Sequence, residues 1–228
     1  MNLLILGRGK TGSLVADVAR ERRHHLETLS DIENADACAL TPDFLAPFDA
    51  VIDFTEPKAV VPNAEASIRA GKNMVVGTTG WYEHVPRLRE LVLSAQTGFL
   101  YGSNFSIGVN LFFDIVATAA AALKYDYSGQ IFERHHAQKK DAPSGTAITM
   151  QKIVRESSGS EKEVEIVSFR EGDVVGLHEL AFNSSADRIY LCHDAKSRRG
   201  FAEGAVRAAE WLVGKKGFYE FRKVWRAL

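Results

Sequence analysis

The feature that narrows the fold most is the spacing of three glycines in LLILGRGKTGSLVADVA. Gly7, Gly9 and Gly12 stand between an aliphatic run and a segment of helical periodicity. In a dinucleotide-binding strand-turn-helix unit the first glycine permits the turn, the second lets backbone approach a pyrophosphate, and the third packs helix on strand. The strand before and helix after are the context that GxGxxG requires; the competing reading is a glycine-rich turn with no ligand. Gly7, Arg8, Gly9, Lys10, Thr11 and Gly12 are therefore candidate coenzyme-binding residues, with Arg8 and Lys10 suited to phosphate.

A companion acid is expected about twenty positions on, at the end of the second strand, where it holds ribose hydroxyls. HHLETLSD offers Asp31 there, with Glu27 the poorer choice in mid-strand and a solvated loop carboxylate the alternative reading of Asp31. Arg8 and Lys10 also suit the extra phosphate of NADP, whereas the lack of Arg or Lys directly after Asp31 leans toward NADH. The coenzyme is read as NADH or NADPH.

Short apolar runs at 2–6, 50–54 and 73–76 fit strands buried on both faces of a parallel sheet, and a further strand is expected at 98–101. Helical segments lie between them: one from Gly12 onward, one at 57–70, and one placing Val85, Leu88, Leu91, Val92 and Ala95 on a single face. Strands alternating with helices imply a parallel α/β sheet. After an apolar helical stretch at 110–123 the pattern turns to strands at 129–136, 164–170, 174–183 and 187–195, several joined by the turn-like EGD and NSSAD. The last forty residues read as helix, with Phe201, Ala205, Ala208, Ala209 and Leu212 on one stripe. The fold class is thus α/β, with an N-terminal Rossmann-type domain at 1–105 completed by 197–228. A second α+β domain at 106–196 is built on a mixed sheet.

A chain of 228 residues with 46% hydrophobic and 25% charged residues reads as ordinary globular protein, long enough for one large domain or two modest ones. A net charge of -1 without a basic block gives no footprint for nucleic acid or an anionic membrane. No signal peptide is read at the N-terminus and no segment is expected to approach the apolar length of a membrane span, so the cytoplasm is the expected compartment. Cys38 and Cys192 are far apart and in no metal-ligand spacing, and no metal site is expected.

Two loops fall where later strands of such a sheet would end. GTTG brings Gly77, Thr78 and Thr79, small residues and hydroxyls suited to a nicotinamide ribose. GSNFSIGVN brings Gly102, Ser103, Asn104 and Phe105 at the natural crossing between domains; Phe105 suits a nicotinamide pocket wall or, the favoured reading, the core.

The stretch ERHHAQKKDAPSGTA, residues 133–147, places two histidines and two lysines beside a small-residue turn. Those side chains are costly to bury unpaired, and Ser144-Gly145-Thr146 opening a helix leaves N–H groups aimed at any anion nearby. The pattern points to a pocket for a negatively charged small molecule. The plain alternatives are a histidine pair satisfied in a core and an ordinary helix start with Ser144 as N-cap.

GTTG, NFSIGVN and E-x-HH-x-x-K-x-DAPSGTA, with FAxGAxxAAxWL at 201–212, together resemble the dihydrodipicolinate reductase family of bacterial and plant lysine biosynthesis. The likeness spans essentially the whole chain. It implies a Rossmann domain formed by both chain ends and a central domain whose mixed sheet assembles a homotetramer. The implied reaction is reduction of a small cyclic dicarboxylate, 4-hydroxy-tetrahydrodipicolinate, to tetrahydrodipicolinate by NADH or NADPH, in lysine and diaminopimelate biosynthesis. By the same resemblance His135 is the proton donor or its relay and His136 a contact for a substrate carboxylate. Lys139 is a cation that stabilises charge and delivers a proton, and Gly145 and Thr146 offer N–H groups to a carboxylate at the start of a helix at 146–156. Lys140 reads as a solvated neighbour. The glycine loop GRGKTG is shorter than the family's, with Lys10 and Thr11 where Arg and Met are usual.

Two other classes share parts of this pattern. An amino-acid dehydrogenase of similar two-domain plan has no reason to carry the HH and SGT pair, and a non-catalytic NAD-binding sensor has no need of His135 or Lys139.

Overall fold

A computed structural model describes all 228 residues, which divide into two compact units, Met1–Ile107 with Arg199–Leu228 and Gly108–Arg198. The first unit begins with β1 (Asn2–Leu6), α1 (Lys10–Glu21), β2 (His25–Leu29) and a single turn, α2 (Pro42–Leu45). It continues through β3 (Ala50–Asp53), α3 (Pro57–Arg69), β4 (Asn73–Val76), α4 (Val85–Ala95) and β5 (Gly98–Tyr101). The glycine turn after β1 is sterically obligatory. Gly7 has φ of +96°, and a Cβ there would stand 2.4 Å from the Phe54 carbonyl oxygen. At Gly12 a Cβ would stand 2.0 Å from the Gly7 oxygen, so only glycine lets α1 approach the turn this closely.

The second unit starts in α5 (Ile107–Ala119), which runs on as a 3-10 turn at Ala120–Lys124. It then forms β6 (Ser128–His135), α6 (Gly145–Ser158), β7 (Glu165–Arg170), β8 (Leu177–Asn183) and β9 (Arg188–Asp194). The sheet order is β7-β6-β8-β9, with β7 parallel to β6 and the other pairs antiparallel, a mixed sheet. Only the β6-β7 pair needs a crossover, and α6 supplies it. One sheet face, with Ile131, Leu180 and Phe182, is covered by Val109, Phe112 and Val116 of α5 and Ala147, Met150 and Val154 of α6. Phe132, Val167, Phe169 and Tyr190 lie on the opposite face.

Three expectations need correction here. The 129–136 strand ends at His135, one residue early, because the His136 N–H turns to the Val174 oxygen outside the ladder. The strand expected from 174 begins at Leu177, after residues committed to that loop. And one helical stretch, Ile107–Lys124, with mean hydropathy 1.5 over 18 residues, is long and apolar enough to cross a membrane by length and composition. Its side chains Val109, Phe112, Phe113, Val116 and Leu123 belong to the core over the sheet, while Leu111 and Ile115 are exposed.

The chain returns to the first unit as α7 (Arg199–Leu212), β10 (Gly217–Glu220) and α8 (Phe221–Val224). The all-helical reading of the last forty residues therefore missed a strand. β10 pairs in parallel with β5 and extends the sheet to six strands in the order β10-β5-β4-β3-β1-β2. Four half-buried residues at an edge carry no periodicity by which to be recognised. Its Phe218 ring stacks on Phe99 at 4.9 Å. Helices cover both faces of this parallel sheet, which is why its central strands β1, β3 and β4 are apolar runs. Leu3 and Ile5 meet α1 and the alanines of α7 on one face, while Leu4 and Leu6 share the other with α3 and α4.

Candidate active site

In the first unit the three loops singled out in the sequence converge. A pocket of about 170 Å³ is lined by Thr11, Phe54, Gly77, Ser103, Asn104, Phe105 and Phe201. Gly9 is the N-cap of α1 and has nothing within 4 Å of where its Cβ would be, so backbone is open to a phosphate at the helix start. No acidic side chain occupies the first turn of α1, and Lys10 stands exposed at its first position. This cradle fits a dinucleotide. Phe105 is 2% exposed and packs on Phe221 at 4.6 Å, a core residue with one edge on the pocket.

Two candidate contacts sit differently from expectation. The Arg8 guanidinium turns away from the helix start to β2, donating to the Thr28 hydroxyl at 3.1 Å and carbonyl at 2.6 Å and pairing with Glu33 at 2.9 Å. The Ser30 backbone N–H and hydroxyl, with Arg8, hold Glu33 below the usual carboxylate range. Asp31, two residues past β2, is exposed and lines a separate pocket of about 220 Å³ with Ser30, Thr55 and Lys58. Glu33 is the carboxylate bound at the end of β2, and sequence spacing did not single it out.

Thr78 is the second. Its hydroxyl points inward to Asp53, while Thr79 is exposed. Asp53, fully buried at the end of β3, also accepts from Thr55 N at 2.9 Å, Thr55 Oγ1 at 2.7 Å and Asn63 Nδ2 at 2.9 Å. Burial pushes the carboxyl up, and these four donors oppose that shift. Asp53 thereby ties the loop after β3 to GTTG after β4.

The second unit holds the histidine-lysine segment. The glycine turn, GTTG and Gly102, Ser103 and Asn104 belong to the first unit, whereas His135, His136, Lys139, Gly145 and Thr146 all lie in this one. His136 is half-buried past the end of β6, and its Nε2 meets Arg198 Nη2 at 3.3 Å. Its Nδ1 is buried without a partner. Lys139 Nζ bonds both oxygens of Asp141, at 2.8 and 3.0 Å; Lys140 is exposed. Ser144 caps α6, its Oγ accepting from Ala147 N at 3.3 Å, as expected of a helix start. Gly145 and Thr146 occupy the first two helical positions, Gly145 with open space at its Cβ and no acid in that turn. A carboxylate there meets N–H groups and the positive end of the helix.

Beneath this segment lies a polar network invisible to spacing. His135 is 8% exposed and bonds Glu133, itself 0% exposed, through Nδ1 at 2.5 Å. Glu133 is also paired with Arg170 at 2.7 Å; burial raises its carboxyl, but Arg170, Ser168 and His135 outweigh that and hold it at about 2. The His178 ring stands edge-on to His135 at 5.1 Å, its Nε2 3.2 Å from Ser144 Oγ, and burial drives it down to about 3. Donor atoms of Glu133, His135 and His178 lie within 4.8 Å of one another. The carboxylate is committed to Arg170 and the imidazole, which makes an ion-pair network and not an open ligand set. Glu133 was findable, because residues two apart on a strand share a face. Arg170, His178 and Arg198 come from other strands and a distant loop, so only register brings them in.

Comparison with known proteins gives a consistent result. The family model described as dihydrodipicolinate reductase, N-terminus, matches residues 1–105, and that for the C-terminus matches residues 108–225. A 4-hydroxy-tetrahydrodipicolinate reductase of Christiangramia forsetii is 39% identical over 238 aligned positions, covering 98% of this chain and 97% of the relative. Another, from Archaeoglobus fulgidus, is 40% identical over 190 positions, covering 75% and 73%. Among solved structures, a dipicolinate-bound dihydrodipicolinate reductase from Paenisporosarcina sp. TG-14 aligns with a TM-score of 0.81 at 23% identity, over 98% of this chain and 99% of that one. The last comparison speaks for the fold.

Proposed function

The chain belongs to the dihydrodipicolinate reductase family, and from that premise we propose that it reduces 4-hydroxy-tetrahydrodipicolinate to tetrahydrodipicolinate, in the route to diaminopimelate and lysine. In the net reaction substrate, reduced coenzyme and a proton give product, oxidised coenzyme and water. The observation that carries the reading is one segment of the second unit. His136 with Arg198, Lys139 with Asp141, and the acid-free start of α6, with open space at Gly145, offer two kinds of anchor for two carboxylates.

A nicotinamide coenzyme supplies the hydride when bound. Gly7, Gly9 and Gly12 give its pyrophosphate access to backbone at α1, with Lys10 and Thr11 beside it, and Gly77, Ser103, Asn104 and Phe105 line the pocket for its nicotinamide end, with Thr79 and Gly102 in the same two loops. Thr78 acts through Asp53, holding that loop in place. At the adenosine end, Arg8 neutralised by Glu33 and the exposed Asp31 support ribose hydroxyls over a 2′-phosphate, which favours NADH while leaving NADPH usable. In the second unit His136, Gly145 and Thr146 orient the dicarboxylate, and Lys139 stabilises developing charge. His135 exchanges the proton.

The remaining assignments rest on surface chemistry. The sheet face carrying Phe132, Val167, Phe169 and Tyr190, with Phe169 39% and Tyr190 52% exposed, is assigned to assembly of a homotetramer. A net charge of -1 with no basic run supports small molecules and copies of the chain as partners, not nucleic acid or membrane, in the cytoplasm.

Absorbance at 340 nm, followed with enzymatically generated substrate, tests the reaction. Coenzyme oxidation supports the reductase, and binding without turnover favours a sensor. Pyridine-2,6-dicarboxylate should compete with substrate and raise the melting temperature by binding the native state. No shift at millimolar ligand, with or without NADH, counts against the dicarboxylate pocket.

A further inference from the structure

Glu133 stands two residues before His135 on β6, so both side chains enter the covered face of the sheet. The register sets Glu133 opposite Ser168 on β7 and His178 on β8, and sets His135 opposite Arg170. From that diagonal position Arg170 Nη2 reaches Glu133 Oε1 at 2.7 Å and the Asp141 carbonyl at 2.6 Å. Ser144 N, at the start of α6, approaches the same carboxylate oxygen at 3.4 Å. Oε2 is left for His135 Nδ1. An ionised carboxylate only accepts, so the imidazole must carry its proton on Nδ1. Its Nε2 faces Gly176, where an added Cβ would stand 3.1 Å away, and a tenth of the side chain remains accessible.

We propose that Glu133, anchored by Arg170, is the positioning residue for His135, fixing its tautomer and ring orientation so that Nε2 is the atom through which the proton is exchanged. The inference rests on the reductase reading for the exchange itself, while the tautomer stands on the geometry alone. Every charged neighbour bears on it. Burial lowers the basicity of His135, Glu133 opposes that, and Lys139 and Arg170 reinforce it. His178 on β8 lies edge-on to the ring, and His193 on β9 pairs with His178. Asp141 is held by Lys139, and Glu171, whose N–H bonds the His135 carbonyl, sends its side chain to Arg134. The first turn of α6 adds no acid. Glu133 is thus the one group in contact with the ring that keeps its doubly protonated form within reach.

The test is the pH dependence of kcat together with the ring nitrogen shifts of His135 in nitrogen-labelled protein. In Glu133→Gln, kcat should fall about 10² to 10⁴-fold, as for loss of a general acid. The basic limb should move to lower pH, KM should stay within about threefold, and the Nδ1–H form should give way to a tautomer mixture. Glu133→Asp keeps the charge on a shorter stem and should restore part of both readouts; it also serves if the glutamine variant does not fold. A rate loss uniform across pH with unchanged nitrogen shifts makes Glu133 merely structural and overturns the proposal, as does an unaltered profile. Wild-type protein that oxidises neither coenzyme overturns the reductase reading and the proton exchange with it, and the nitrogen shifts then still decide the tautomer.

Discussion

The hydroxyl of Thr78, in the loop after β4, donates to Asp53 Oδ1, at the end of the adjacent strand β3, at 3.1 Å, with both residues buried. The hydroxyl of a threonine in a loop suited to a coenzyme ribose is therefore turned inward, where it holds the loop. Asp53→Ala should strand four donors, those of Asn63 and Thr78 buried, and destabilise the protein by several kcal/mol, at about 1 to 3 kcal/mol for each buried one left unsatisfied. Thr78→Val removes one donor and should cost about 1 kcal/mol while raising coenzyme KM severalfold. Thermal melting and coenzyme titration check both; unchanged coenzyme affinity in folded Thr78→Val separates the network from the site.

The division of labour proposed for the histidine-lysine segment has a kinetic signature. Lys139→Ala should lower mainly kcat, and His136→Ala, which removes an anchor present before and during reaction, should raise mainly KM. His135→Ala should resemble the lysine variant, and the double variant should be less than additive. Exposed Lys140 is the control, and Lys140→Ala should stay near wild type. Normal turnover in folded Lys139→Ala, or loss of it in Lys140→Ala, shows that the other lysine faces the substrate.

On the proposed reading of the adenosine end, the pairing of Arg8 with Glu33 beside β2 governs coenzyme preference. Glu33→Ala leaves the guanidinium unpaired beside the ribose position and should lower the KM for NADPH relative to NADH, by about 3- to 10-fold. Asp31→Ala should weaken NADH more than NADPH. Steady-state KM values for both coenzymes decide each case, and equal loss for both in Asp31→Ala removes that residue from the site.

Acid should destabilise the second unit in two overlapping windows. His178 titrates at about 3 in the fold against an ordinary 6.5, so the unfolded chain takes up its proton first and stability falls as pH drops below 6.5 toward 3. Glu133, at about 2 against 4.5, contributes stability that is present above 4.5 and lost as pH falls toward 2. Melting temperature should therefore decline from pH 7 to pH 4, and His178→Gln should flatten that decline. A variant with the wild-type slope would exclude His178 as its source.

Much of this was legible in residue order. The glycine spacing, the aliphatic runs and their alternation with helices dictate a two-sided parallel sheet because each signal is local: a turn only glycine can make, a strand with no polar face. The segment from His135 to Thr146 was legible for the same reason, being one loop and one helix start. Tertiary structure alone decided the rest. Strand register, not spacing, brings Arg170 and His178 to Glu133, and return of the chain after Arg199 supplies an edge strand too short to show periodicity. It also decided which way side chains turn. Thr78 looks inward because a buried carboxylate without enough donors would be intolerable, and Arg8 turns to β2 because Glu33 and the Thr28 carbonyl satisfy it there. Local sequence sets what a residue is able to do; desolvation and register set which partner it does it with.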